Sequence, residues 1–74
     1  MMLFLDAMKH LDSGKTIQKG KDKKTQRFKK MNGYVVCFEW ENNWSNGDIV
    51  YFIAEYAYDF TDEDANFTDW QIVD

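Results

Sequence analysis

Arg27-Phe28-Lys29-Lys30-Met31-Asn32-Gly33-Tyr34-Val35-Val36-Cys37-Phe38-Glu39-Trp40 is the stretch on which the fold turns. Asn32-Gly33 at its centre supplies the two positive φ angles that a two-residue primed turn demands. The runs on either side therefore fold back on each other as antiparallel strands. On the second strand Tyr34, Val36, Phe38 and Trp40 share one face, and Val35, Cys37 and Glu39 share the other.

Upstream, Lys19 to Gln26 has no hydrophobic period and reads as a mobile basic loop, preceded by a short strand at Lys15-Thr16-Ile17-Gln18. Leu3, Phe4, Ala7, Met8 and Leu11 recur at the helical period. Gly14 stands where a helix of that span needs a left-handed stop. Downstream, Asn42 to Gly47 is a turn cluster. Asp48 to Tyr58 is a β-branched and aromatic run without a breaker, which predicts a central strand apolar on both faces. Thr61-Asp62-Glu63-Asp64 matches a capping box at the start of a short helix, and Trp70-Gln71-Ile72-Val73 alternates as a last strand.

The expected architecture is α+β in one domain, 1–74: a small antiparallel sheet, the N-terminal helix packed on one face, and a helical turn before the last strand. The second sheet face then lacks a cover. Thirteen of the 74 residues are aromatic (six Phe, four Tyr and three Trp). That is more large apolar surface than one small core encloses, so a homo-oligomer is expected.

Charge is distributed unevenly along the chain. Residues 1–31 hold all nine Lys and Arg against Asp6, Asp12 and Asp22, whereas 32–74 hold ten carboxylates and no cation. The formal total of −4 therefore hides a net of +6 followed by a net of −10. Separation of this kind bears on partners and not on fold. A compact phosphate-bearing ligand suits the basic half, while the ten carboxylates oppose a long nucleic acid. Alternatively the acidic half, with Glu39, Glu41 and Asp48 in front, docks on a protein surface that normally holds nucleic acid. Attraction between the two halves within one molecule is an equally simple outcome.

Catalytic and metal chemistry find little footing. His10 is the only histidine and Cys37 the only cysteine, so a nucleophile–histidine pair or a zinc set lacks its members. His10 reads as a solvent-exposed spectator and Cys37 as a small packing residue, and a lone cysteine fits a reducing compartment. Asp62, Asp64 and Asn66 imitate the start of a calcium loop. Phe67 and Val73 then occupy the places of its glycine and its bidentate glutamate, so a capped helix explains the same carboxylates. No metal and no cofactor is expected. No leader or membrane-spanning run is legible either, and a cytoplasmic location follows as an expectation. Phosphate binding is better founded. Lys19, Lys21, Lys23, Lys24, Arg27, Lys29 and Lys30 cluster with Phe28 and Tyr34, joining cations to rings on which a base could stack, although both rings fit a core equally well.

The two ends of the chain carry a resemblance. Phe4-x-x-Ala7-x-x-x-Leu11-x-x-Gly14-Lys15-x-Ile17-x-Lys19 is similar to the opening of the second type of phage Thoeris anti-defence "sponge" proteins. Asp64-Ala65-x-x-x-Asp69-Trp70-x-Ile72-Val73 resembles their closing motif. The resemblance implies an oligomeric α+β protein in an infected bacterial host. Such a protein binds a cyclic ADP-ribose-type signal without cleaving it, so that immune effectors stay silent. It implies a ligand held by Asp69 and Trp70; joined to the basic cluster, the expectation sets Lys19 and Arg27 on its phosphates, Phe28 or Trp70 against its base, and Asp69 on its ribose hydroxyls. Where that family carries an arginine and then a tryptophan after the first strand, this chain has Lys19-Gly20-Lys21-Asp22. The competing expectation is a protein-binding inhibitor of a host defence complex, of the anti-CRISPR or anti-restriction kind.

Overall fold

The computed structural model describes residues 2–19, 24–43 and 49–73. Helix α1 (Phe4–Asp12) is followed by strands β1 (Ile17–Lys19), β2 (Lys24–Met31), β3 (Tyr34–Asn43) and β4 (Ile49–Ala57), a short helix α2 (Asp62–Asn66), and β5 (Gln71–Ile72). The five strands form one sheet in the order β4-β3-β2-β1-β5, and each pairing is antiparallel. The α+β class expected from the sequence is the class observed. No helix among the described residues is long and apolar enough to cross a membrane.

The central hairpin forms at the turn that the sequence marks. Asn32 and Gly33 take φ of 54° and 85°, and Met31 pairs with Tyr34 across them. Gly33→Ala should lower stability by about 1 kcal/mol through backbone strain alone, because nothing lies within 4 Å of the added methyl. The check is a lower urea midpoint with an unchanged slope. Helix α1 ends as expected too. Gly14 has φ +96°, Gly14 N–H donates to Leu11 O and Lys15 N–H to His10 O, which together close a Schellman motif.

Three expectations need correction. Lys24 to Gln26 belong to β2 and not to a loop, pairing with Glu41, Trp40 and Glu39; residues 20–23 lie outside the described residues. Asn42 and Asn43 likewise extend β3, opposite Val50 and Ile49, in place of a turn. The long apolar run is not central, since β4 is the outermost strand on its side. In β4 Ala54 pairs with Glu39 and Phe52 with Trp40. Ile53 is left as a bulge, a device that bends an edge away from further pairing.

Helix α1 lies against β1, β2 and β5 and buries Ala7 and Leu11. Beneath it are Ile17, Phe28, Cys37 and Trp70, all at most 1 % exposed. Phe28 is ringed by Tyr58 and Phe60, both at 5.1 Å between centroids, and by Trp70 at 5.6 Å. Phe4 and Phe67 close the cluster against Trp70 at 6.0 and 5.5 Å. Much of the aromatic surplus is thus absorbed by one ring cluster on the helix side.

Candidate ligand-binding face

Alternation along the strands sorts the candidate residues before any contact is considered. Phe28 points to the helix side, so Arg27 and Lys29, its neighbours on β2, belong to the opposite face. Cross-strand register carries that face over the whole sheet. Glu55, Phe38, Arg27, Gln18 and Gln71 form one row from β4 to β5, which spans roughly 19 Å at ordinary strand spacing. Trp40 and Thr25 flank the row on one side, with Ala57, Val36 and Lys29 on the other.

Arg27 is the organised member of this face. Its Nε donates to Gln18 Oε1 at 3.0 Å, and its guanidinium carbon lies 5.8 Å from the centroid of the Trp40 ring. An amide beside it and a ring beneath it hold the fork in place, while Arg27 itself stays exposed. A cation–π contact and a side-chain hydrogen bond both lower the entropy that an arginine loses when it takes an anion. Gln18, Thr25 and Val36 are 8 %, 6 % and 5 % exposed although no helix among the described residues covers them.

The other residues expected to hold a ligand are distributed differently. Lys19 Nζ donates to Asp64 Oδ1 at 2.5 Å and lies 5.3 Å from the centroid of the Phe67 ring, on the helix side with Phe28. Phe28 and Trp70 are core residues, 0 % and 1 % exposed. The Trp70 indole N–H is buried without a hydrogen-bond partner. Tyr34 stands at the hairpin mouth beside a shallow hollow of about 410 Å³, shared with Lys30, Tyr58, Asp59 and Phe60. Asp69 is exposed on the approach to β5. One ligand therefore cannot touch Arg27 together with Lys19, Phe28 and Trp70. Residues on the Arg27 face that the sequence reading passed over are Gln18, Phe38, Trp40 and Gln71; the signal for them is the cross-strand register, which no single strand reveals.

The acidic candidates sit within the ladder. Glu39 is half-buried and accepts from the Tyr56 hydroxyl and from Gln26 Nε2. The carboxylate beside it, with some burial, pushes the Tyr56 phenol well above its ordinary range. Glu41 pairs with Lys24 across β2 and β3. Asp48 lies outside the described residues. His10, expected to be exposed, is half-buried on α1.

Asp64 is the most heavily engaged titratable group. It is 1 % exposed and accepts from Lys19, from the Tyr58 hydroxyl at 2.6 Å, and from the Thr61 N–H and hydroxyl at 3.0 and 3.1 Å. Burial pushes its pKa up, but Lys19, Thr61 and Tyr58 together outweigh this and hold it at about 2. Burial, then the Asp64 carboxylate, raise Tyr58 to about 12. The capping box expected from the sequence is present, with its aspartate also serving as counter-ion to β1. No group of three or more metal-ligating side chains is gathered among the described residues.

No family model, curated protein or solved structure matches this chain.

Proposed function

We propose that this chain is a non-enzymatic counter-defence protein that sequesters a nucleotide-derived immune signal on the open face of its sheet. The observation that carries the reading is the exposed Arg27 guanidinium, fixed by Gln18 and Trp40 on a face that no helix among the described residues covers. Lys29 lies two residues along the same strand face, roughly 6.6 Å away, a spacing that lets two cations share one phosphorylated ligand. Phe38, beside Arg27 in the row, offers a ring for a base, and the half-buried amide of Gln71 gives a donor and an acceptor. Such a face binds anions and rings and brings no acid–base pair to a scissile bond. The resemblance at the chain ends supplies the biological setting. The alternative, an acidic face docking on a host complex, has less support, because Glu39 and Glu41 stand opposite Gln26 and Lys24.

Titration calorimetry against cyclic ADP-ribose isomers and cyclic oligonucleotides tests the reading. Binding to one class is expected, weakening as salt rises. Arg27→Ala should lower that affinity by about 10- to 100-fold, the value of losing a charge-assisted hydrogen bond. Silence across the panel, or binding indifferent to Arg27, defeats the proposal.

A further inference from the structure

The hollow at the hairpin mouth has a chemistry of its own. Its volume of about 410 Å³ is that of a small-molecule site, and Tyr34, Tyr58 and Phe60 line it together with Lys30 and Asp59. Two of the rings are fixed. The Tyr58 hydroxyl donates to Asp64 at 2.6 Å, and Phe60 meets the Tyr58 ring at 5.5 Å between centroids and 76° between planes. They stand as two walls near a right angle. Donation to a carboxylate also polarises the Tyr58 ring towards negative charge. Tyr34 is 52 % exposed, a third ring available to close on an occupant.

Charge decides what that occupant is. Lys30 Nζ donates to Asp12 Oδ1 at 3.0 Å, so a carboxylate outside the hollow offsets its charge. Asp59 is exposed and has no ion-pair partner among the described residues. We infer that the hollow takes a small alkylated ammonium ion, of the choline or trimethyl-lysine kind, its methyl groups against the three rings and its charge facing Asp59. Such a cation is drawn to ring faces within about 6 Å, and a carboxylate at the rim adds to the attraction. Other occupants fit less well. An anion meets Asp59 as a like charge, and a neutral apolar molecule covers that carboxylate without answering it. A metal ion finds one carboxylate where it needs several oxygen ligands. The inference is independent of the ligand reading, since none of these five residues belongs to the row through Arg27.

Proton–nitrogen NMR titration of the full chain with choline is the test, beside its uncharged isostere in which a quaternary carbon replaces the nitrogen. Saturable shifts centred on Gly33, Tyr34 and residues 57–60 are expected for choline, with a Kd on the order of 1 mM or tighter. The isostere should bind at least about tenfold more weakly. Tyr34→Ala and Asp59→Asn, both at exposed positions, should each weaken choline by about 5- to 10-fold, whereas Lys30→Gln should leave it unchanged or tighten it. A trimethyl-lysine peptide reads the source: tighter binding than choline assigns the ammonium to a modified protein, and weaker binding assigns it to a free metabolite. Absence of saturable shifts up to about 100 mM choline overturns the inference. So does an isostere that binds as well as choline, indifference to Tyr34→Ala and Asp59→Asn, or a loss of affinity in Lys30→Gln.

Discussion

Asp64→Ala should destabilise the protein by about 3–5 kcal/mol, the usual cost of removing one partner of a buried ion pair. For 74 residues the total stability is on the order of 4–11 kcal/mol, so this single change takes a large part of it. The loss has three sources. Lys19, only 17 % exposed, is left without its counter-ion, the Tyr58 hydroxyl loses its acceptor, and α2 loses half of its capping box. Lys19→Met combined with Asp64→Leu should cost markedly less than the two single changes added together, because apolar groups of similar size remove the uncompensated charge. Urea denaturation of the four proteins measures this coupling, and strict additivity would show that the pair is not the anchor. The same carboxylate sets a pH dependence. Its folded pKa of about 2 lies below the ordinary 3.8, so its contribution is complete above that ordinary value and is lost as pH falls towards 2. The amount at stake is on the order of 2 kcal/mol. Asp64→Asn should flatten this part of the acid limb.

Phe28→Ala is the second large effect, expected at about 3–5 kcal/mol. Phe28 is fully buried and touches three other rings, which cannot close the space it would leave. Phe38→Ala, on the half-buried face across the sheet, should cost on the order of 1 kcal/mol. A comparison of urea midpoints for the two variants reads the sidedness of the sheet directly. Equal losses would mean that the open face carries as much of the core as the helix side. The same burial argues against Phe28 as a stacking platform, since a base could reach it only by displacing α1 or the ring cluster.

Elements specified by residues close in sequence were legible. Asn32-Gly33, the apolar spacing of α1 with Gly14, and Thr61 with Asp64 each encode their conformation within a few positions. Features that depend on distant pairing were not. Nothing local tells that Lys19 would find Asp64, 45 positions away, so a lysine in a basic run read as a free cation. The split of charge between the two halves of the chain misled in a related way. An antiparallel hairpin lays the basic β2 alongside the acidic β3, so Lys24 and Gln26 stand opposite Glu41 and Glu39. Lys30 reaches back to Asp12 of α1 at 3.0 Å. Linear polarity is therefore partly neutralised by folding, as the Lys19–Asp64 ion pair shows. The position of β4 was hidden because an apolar run does not report where a strand stands in the order of a sheet.

Strand β1 is three residues long, yet it lies between β2 and β5, and each of its side chains has a different task. Ile17 enters the core, Gln18 steadies Arg27, and Lys19 ties down α2. A one-residue insertion ahead of it would rotate all three assignments at once, exposing an isoleucine and driving a lysine or an amide inward. Natural variation in length should therefore be least tolerated at the shortest of the four strands that carry the sheet from β4 to β1, and any relative that preserves this design must keep its spacing even where its composition drifts.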